Sequence, residues 1–246
     1  MELDGARVLV VGGGSGIGFG VAQAAAAKGA RVTLASRNLV KLESAAARIG
    51  PGTGVAVLDV VDPDQVKAFF DRSAHFDHIV TTTSSLEARQ AGVMAPVQDL
   101  PLAAARAMME AKYWGQVHVA KYGAAKLAPT GSITLTAGIA SKKYVPAHGG
   151  LAPVNAAVGA FAWLFAYEIG PKRCNAVSPG LVRTEAYDHL GLEAREAFFN
   201  RYAQEFLPVK HVAAVEEVAK TYIYLMESDY HTGDVICVDG GLWRAT

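Results

Sequence analysis

The stretch "VVGGGSGIG", residues 10–18, decides the fold of this chain. An aliphatic run that is typical of a buried strand ends in glycines, and a helical pattern begins directly after them. Gly12 permits a tight turn, while Gly16 and Gly18 let the backbone approach a pyrophosphate at the N-terminus of the helix. Glycine triplets also occur in methyltransferases and in plain tight turns, but this position between a first strand and a helix favours dinucleotide binding.

Strand and helix patterns alternate along the rest of the chain. β-Branched runs predict strands at 7–12, 31–36, 54–60, 77–83, 131–136, 173–178 and 233–239, with helices between them at 15–28, up to residue 49, and at 63–72, 99–127, 152–169 and 214–227. This order indicates an α/β fold with a doubly wound parallel sheet and helices on both faces. No repeat or linker interrupts it, so residues 1–246 are predicted to form a single domain. The largest insertion, residues 184–206, is predicted to be a substrate lid.

Composition excludes several classes of protein. The 246 residues are 51% hydrophobic and 19% charged, which is typical of a globular chain. Lys plus Arg and Asp plus Glu both number 23, so no basic excess points to nucleic acid or to an anionic membrane. Cys174 and Cys237 form no disulfide framework and no metal motif, and no signal-peptide pattern opens the chain, so we expect a reduced, cytoplasmic protein without a metal.

The residues that follow the second and third strands indicate which nucleotide would bind. A carboxylate after the second strand would bind the ribose hydroxyls of NAD, but this chain has Ser36, Arg37 and Asn38. A guanidinium there can pair with a 2′-phosphate, so Arg37 favours NADP, unless it is only a solvated surface residue. After the third strand, Asp59 and Val60 are placed to bind adenine, although Asp59 could instead cap the next helix.

These features together resemble the short-chain dehydrogenase/reductase family over essentially the whole chain. The similarity lies in "GGGSGIG", "LDV" at 58–60, "GSITLT" at 131–136, "NAVSPGLVRTE" at 175–185 and "TGDVICVDGG" at 232–241. The resemblance implies a Rossmann-type sheet of about seven parallel strands and hydride transfer between NAD(P)(H) and a carbonyl or alcohol. It also implies a homodimer or homotetramer built through the long helices and the last strand.

The family's catalytic Ser, Tyr, Lys and Asn are all replaced in this chain. Aligned on "GGLAPVNAAVGAF", Leu151 stands at the tyrosine position and Asn155 at the lysine position. Gly138 stands at the serine position, and Lys112 at the asparagine position of the fourth helix. Leucine cannot donate a proton and glycine cannot orient a carbonyl. The chain is therefore identified as a divergent member of the family.

One motif imitates the missing pair. Tyr122 and Lys126 in "KYGAAKLA" are four residues apart, the spacing that places two side chains on one helix face. They precede "GSITLT" instead of following it, and they come at least ten residues after Lys112 on one predicted helix, roughly 15 Å along its axis. We therefore predict that this pair does not belong to the active site.

Three other residues are candidates for the proton donor. Lys112 is expected to project toward the cofactor, where burial would lower its pKa, although it could equally bind ribose hydroxyls or a carbonyl. Tyr144 and His148 lie in the loop after the fifth strand, where each could also be an ordinary loop residue. Thr136 shares the side of the strand with position 138 but lies deeper in the sheet.

The binding residues that the family pattern implies are largely present. Pro179, Gly180 and Val182 follow the sixth strand, and Thr184 could hold a phosphate or ribose. Two functions remain open, an NADPH-dependent oxidoreductase of atypical mechanism and a non-catalytic NADP(H)-binding sensor or subunit partner. The predicted cofactor residues are Gly12, Gly14, Ser15, Gly16, Ile17, Gly18, Ser36, Arg37, Asn38, Asp59, Val60, Thr81, Thr82, Thr83, Asn155, Pro179, Gly180, Val182 and Thr184.

Overall fold

A seven-stranded parallel sheet forms the centre of the molecule, as predicted. The computed structural model describes residues 2–244. The strands lie in the order β3-β2-β1-β4-β5-β6-β7. They are β1 (Arg7–Val11), β2 (Arg31–Ser36), β3 (Gly54–Val57), β4 (Phe76–Thr81), β5 (Leu127–Thr136), β6 (Arg173–Pro179) and β7 (Val235–Val238). The strand order reverses between β1 and β4, and in such sheets ligands bind beyond the carboxyl ends of the strands at that point.

Helices cover both faces of the sheet because each buries one apolar side. One face carries α1 (Gly16–Ala27), α2 (Leu39–Ile49) and α9 (Val215–Glu227). The other carries α3 (Pro63–Arg72), α6 (Gly115–Gly123) and α7 (Leu151–Glu168). The remaining helices lie at the carboxyl edge of the strands and are α4 (Leu86–Gln90), α5 (Leu102–Met108) and α8 (Leu192–Phe206).

Several predicted elements have other bounds than the observed ones, and two of these differences lie near the carboxyl ends of the strands or change a helix. The strand predicted at 54–60 ends at Val57. Its neighbour in the sheet, β2, ends at Ser36, and the last backbone hydrogen bond between them is the one that the Leu58 amide donates to the Ser36 carbonyl. The helix predicted at 99–127 is not continuous. A π-helical turn, Met109–Trp114, separates α5 from α6, and such turns often lie at functional sites.

A buried histidine lies in the centre of the sheet. His78 on β4 is 0% exposed, and its Nδ1 lies 2.8 Å from Ser132 Oγ on β5. Its Nε2 has no hydrogen-bond partner among residues 2–244. Burial, and then the Arg173 charge, lower the pKa of His78 to about 4. The fold therefore holds this imidazole in its neutral form.

We predict that His78 makes the fold sensitive to acid. The unfolded chain binds a proton near pH 6.5 and the folded chain only near 4, so stability is lost as the pH falls between these values. The loss should total about 3 kcal/mol, and His78→Asn should remove it. Urea unfolding between pH 7 and pH 4 measures it, with the exposed His75→Asn as a control. A variant whose free energy of unfolding still declined in parallel with the wild type would contradict this role.

Candidate active site

Two adjoining cavities lie at the carboxyl ends of the strands. The outer cavity, about 410 Å³, is lined by the glycine turn and by the ends of β2 and β3. The inner cavity, about 260 Å³, is lined by the ends of β5 and β6, the start of α7 and part of the segment 184–206. Residues common to both cavities show that they form one cleft. They are Ile17, Thr82, Thr83, Ser84, Arg89, Thr136, Thr184 and Ala186.

The glycine turn leaves no space for side chains at several positions, among them Gly12 and Gly18. Gly12 has φ +87°, and a Cβ atom there would lie 2.6 Å from Thr82 Oγ1. At Gly18 a Cβ atom would lie 2.3 Å from the carbonyl oxygen of Gly12. Glycine is therefore required for β1 and α1 to pack this closely. The predicted residues that line the outer cavity are Gly12, Gly14, Ser15, Gly16, Ile17, Gly18, Ser36, Arg37, Asn38, Asp59, Val60, Thr82, Thr83 and Thr184.

Arg37 lies at the rim of the outer cavity. Its Nη2 is 2.8 Å from Glu87 Oε1, and the two side chains are 55% and 64% exposed. An exposed pair of this kind contributes at most about 1 kcal/mol, so a phosphate could displace the carboxylate. The Asn38 side chain accepts a hydrogen bond from the Lys41 amide and caps the N-terminus of α2. The Lys41 side chain lines the same cavity, a second cation that the sequence analysis missed.

Asp59 does not cap α3. Its carboxylate accepts a hydrogen bond from the Val61 amide at 3.0 Å within the loop. Asp62 caps the helix instead, accepting from the amides of Asp64 and Gln65. The alternative interpretation of Asp59 as a helix cap is therefore wrong, and its side chain remains at the outer cavity.

Thr81 is the one predicted cofactor residue that lines neither cavity. Its hydroxyl donates to Gln116 Oε1 on α6, so the side chain points into the protein. Thr82 donates to the carbonyls of Val11 and Gly12, which ties β4 to the glycine turn. The Thr83 hydroxyl is buried at the cavities and has no partner among the described residues.

Three positions at which the sequence predicts replaced catalytic residues lie together in the inner cavity. Gly138, Leu151 and Asn155 all line it. Leu151 is 4% exposed and packs in an apolar cluster with Val93 and Met108. A Cβ atom at Gly138 would lie 2.7 Å from Asn155 Nδ2, so glycine at this position leaves room for the asparagine amide.

Lys112 enters the same cavity from the π-helical turn. The residue is 7% exposed, and its Nζ donates to the Ala137 carbonyl at 2.8 Å. Gln116 Nε2 donates to the Lys112 carbonyl at 2.6 Å, which holds the widened turn in place. Burial, followed by the charge of Arg89, lowers the pKa of Lys112 to about 7. The amine can therefore gain or lose a proton near neutral pH.

The other two candidate donors differ in position. His148 lines the inner cavity, and its Nδ1 lies 2.8 Å from the Pro146 carbonyl. A carbonyl only accepts, so Nδ1 carries the proton and Nε2 is left as an acceptor. Burial lowers the pKa of His148 below its usual value, which favours this neutral form. Tyr144 is 85% exposed and does not line the cavity, so the structure does not bring it to the other candidates.

The sequence motif at Tyr122 and Lys126 lies away from both cavities, as predicted. Tyr122 packs against the core beside α3, and Lys126 Nζ donates to the Asp71 carbonyl at 3.3 Å. Thr136 reaches both cavities, but its hydroxyl is already bonded to the Thr81 carbonyl and to Tyr222 Oη.

The segment 184–206 closes one side of the inner cavity. It forms a 3-10 helix, Glu185–Leu190, followed by α8. It contributes three aromatic side chains to the cavity, Tyr187, Phe198 and Tyr202, which sequence reasoning does not identify because nothing in their spacing marks them as cavity residues. The predicted residues Pro179, Gly180, Val182 and Asn155 line the same cavity.

The cleft fits a nicotinamide dinucleotide. The Asn155 Oδ1 atom and the Thr83 hydroxyl are buried and have no hydrogen-bond partner within the part of the chain that the structure describes, whereas buried polar atoms are normally satisfied. Ribose hydroxyls would supply those partners, and the amide at the start of α1 suits a pyrophosphate. Within residues 2–244 no group of three or more His, Cys, Asp or Glu side chains could hold a metal ion. Over the same range, none of the helices combines the length and apolar character needed to cross a membrane.

We predict that Glu185 weakens dinucleotide binding. Its Oε2 accepts a hydrogen bond from the Gly16 amide at 2.9 Å, at the helix end that attracts anions. A nicotinamide dinucleotide with its pyrophosphate at this helix end would have to displace the carboxylate, so Glu185→Gln should tighten its binding about threefold to tenfold. Fluorescence titration at low salt measures this, with exposed Glu193→Gln as the control. Unchanged or weaker binding by Glu185→Gln would show that the contact does not compete.

Comparison with known sequences covers nearly the whole chain. Residues 11–243 match the family model described as enoyl-(acyl carrier protein) reductase. A short-chain dehydrogenase/reductase of Acremonium sp is 32% identical, with 98% of this chain and 96% of the relative covered. The D-erythrulose reductase of Gallus gallus is 28% identical, with 98% of this chain and 97% of the relative covered.

Solved structures agree with this assignment. The crystal structure of a small-chain dehydrogenase in complex with NADPH is 34% identical, with a TM-score of 0.79 and coverage of 98% of this chain and 100% of that one. The MalC reductase/Diels-Alderase of Malbranchea aurantiaca is 26% identical, with a TM-score of 0.86 and coverage of 99% and 98%. The chain belongs to the short-chain dehydrogenase/reductase family of oxidoreductases, whose members use nicotinamide cofactors.

Proposed function

We propose that the protein is an NADP(H)-dependent oxidoreductase that transfers a hydride between NADPH and a small carbonyl or alcohol substrate by an atypical mechanism. The observation that carries this proposal is the position of Lys112. A buried amine with a pKa of about 7 lines the same cavity as the positions from which the family's serine, tyrosine and lysine are missing. A proton donor is therefore available there although the usual one is absent.

The residues that would hold the cofactor are distributed over both cavities. The glycine turn would bind the pyrophosphate, Asp59 and Val60 the adenine, and Asn155 and Thr83 the nicotinamide ribose. When bound, the nicotinamide supplies or accepts the hydride. The NADPH in the related crystal structure supports NADP(H) for that protein, and here Arg37 and Lys41 give the outer cavity two cations for a 2′-phosphate.

Lys112 would hold the proton in this mechanism. One of its N–H groups is fixed by the Ala137 carbonyl, which leaves the others free to approach a substrate oxygen. A positioned acid of this kind contributes about 10²–10⁴-fold to a rate. His148 is a weaker candidate because its single proton in the neutral form is held by the Pro146 carbonyl. Tyr144 would need a loop movement to reach the cavity.

A non-catalytic NADP(H)-binding protein is the second candidate function. Leu151 favours it, because an apolar side chain packs where the family places its proton donor. Such a protein would keep the binding cleft and act as a sensor or as a subunit partner. An assay of NADPH oxidation with a panel of carbonyl compounds separates the two functions.

We also infer that the protein is a homodimer or homotetramer. The outer side of α7 exposes three large apolar side chains, Trp163, Leu164 and Tyr167, at 58%, 49% and 80%. Exposed apolar surface of this kind is typical of an interface. Sedimentation of the wild type and of Trp163→Asp, which should lower the assembled fraction, tests the inference.

We predict that Arg37 sets the choice of cofactor. Arg37→Ala should weaken NADPH binding about tenfold or more through loss of a charge-assisted bond, and should leave NADH binding nearly unchanged. Fluorescence titration with both nucleotides measures the two affinities. Arg72→Ala, at an exposed position on α3, is the matched control. A wild type that prefers NADH would contradict the proposal for NADP(H).

We predict that Lys112 controls both the rate and its pH dependence. Since the protonated amine donates in reduction, wild-type kcat/KM should fall as the pH rises above about 7. Lys112→Met should lower kcat/KM about 10²–10⁴-fold and remove this ionisation from the profile. The assay is NADPH oxidation with a panel of ketones and aldehydes.

Two further variants complete the experiment. A loss of turnover in His148→Ala or Tyr144→Phe, with Lys112→Met still active, would assign the proton to another residue. NADPH binding without turnover of any carbonyl compound by the wild type would instead support the non-catalytic function.

A further inference from the structure

We propose that the inner cavity selects a substrate that carries a carboxylate, with Arg89 as the residue that binds it and a flat apolar body packed against the aromatic wall. This inference rests on the proposed function, because it names the substrate class of the same site. The cavity holds three nitrogen bases and lacks any carboxylate among the described lining residues. The bases are Arg89, Lys112 and His148.

Arg89 is positioned for a ligand in the cavity rather than for a partner within the protein. It lies on α4 and lines both cavities at their junction. Its Nη1 is 3.6 Å from Met94 Sδ. Burial raises the pKa of Tyr187, and the nearby Arg89 guanidinium opposes that rise. Among residues 2–244 no carboxylate forms an ion pair with Arg89, whereas Arg37 nearby is paired with Glu87.

The guanidinium faces the inner cavity. Met94 and Tyr187, which lie near it, line only that cavity. Its charge helps to lower the pKa values of Lys112 and His148, which lie there as well. The acidic side chains of the cleft, Asp59 and Glu185, line the outer cavity alone. The inner cavity is therefore electropositive even when Lys112 is neutral.

The aromatic wall of the inner cavity, formed by Tyr187, Phe198 and Tyr202, suits a flat, apolar group. Tyr187 and Phe198 are stacked with their ring centroids 6.0 Å apart, and Tyr202 follows at 6.1 Å from Phe198. A cavity of about 260 Å³ has room for a compact ligand beside these rings. Arginine binds carboxylates through two parallel hydrogen bonds, which fixes the direction of the ligand as well as its position. A carboxylate at Arg89 would thus orient the apolar body along the aromatic wall.

Binding of two small probes tests the site without turnover. We expect calorimetry to show that the protein, with and without NADP⁺, binds benzoate about tenfold or more tightly than benzamide. Arg89→Gln should abolish this preference, Arg89→Lys should keep part of it, and Arg72→Gln should leave it intact. The preference should also weaken at high salt. Equal affinities for the two probes, or a preference that survives in Arg89→Gln, would overturn the inference.

A turnover experiment separates failure of this inference from failure of the proposed function. The substrates are benzoylformate and its methyl ester, assayed with NADPH. The inference expects kcat/KM to favour the acid about tenfold or more, and Arg89→Gln to remove the difference. Equal reduction of the acid and the ester would support the oxidoreductase function and refute carboxylate binding by Arg89. If neither compound is reduced but benzoate is still preferred over benzamide in an Arg89-dependent way, the carboxylate site would stand and the oxidoreductase function would be refuted.

One outcome would assign Arg89 to the cofactor instead. If Arg89→Gln weakened NADPH binding as much as benzoate binding, the guanidinium would serve the dinucleotide, and the substrate inference would fail. Thermal unfolding of each variant shows whether it is folded. Arg89→Lys, which retains the charge, provides the comparison if Arg89→Gln is unstable.

Discussion

A single buried amide, that of Gln116, holds the centre of the cleft together. Its oxygen accepts hydrogen bonds from the Thr81 hydroxyl on β4 and from the Thr136 amide on β5. The direct pairing of β4 with β5 ends one step earlier, at Val80 and Thr134, so the Gln116 amide continues the link between the two strands. Its nitrogen donates to the carbonyls of Thr136 and Lys112. Because all four bonds lie in the interior, loss of the amide would leave several buried groups unpaired. The two strand ends and the π-helical turn that carries the candidate proton donor therefore share one anchor.

The backbone around the cleft follows the pattern of the family, whereas the side chains at its inner end are predicted to differ. The glycine turn, the strand order and the helix packing are those of the family, so the position of a dinucleotide follows from the backbone. The sequence predicts a different distribution of charge at the inner end, with Lys112 at the position of a neutral amide and Asn155 at the position of a cation. On that prediction the positive charge of the inner cavity comes from the π-helical turn and not from α7. The cavity then has an amine, while positions 138 and 151 carry no hydroxyl.

The sequence predicted the fold and the outer cavity well because both depend on local signals. The glycine turn and the residues after β2 and β3 are contiguous with strands whose apolar pattern is clear. All the predicted cofactor residues except Thr81 line one of the two cavities, and their binding to a cofactor stays a prediction. The π-helical turn was not predictable, because its wider backbone is stabilised by a side-chain hydrogen bond, from Gln116 Nε2 to the Lys112 carbonyl, and not by a local sequence pattern. Arg89 and the aromatic wall were missed because they reach the cavity from segments without a periodic pattern. Tyr144 was a candidate by chain position alone, and the loop turns it to solvent.

The close approach of positions 138 and 155 also limits which sequences this chain can reach. A serine at 138 needs a Cβ atom where the amide of Asn155 now lies, and Asn155 is itself 4% exposed, with little space to move. A serine at 138 therefore requires that the Asn155 side chain move or be replaced, and a polar side chain at 151 would have to be accommodated in an apolar cluster. Positions 138 and 155 are thus coupled, because the side chain that fits at one depends on the side chain present at the other.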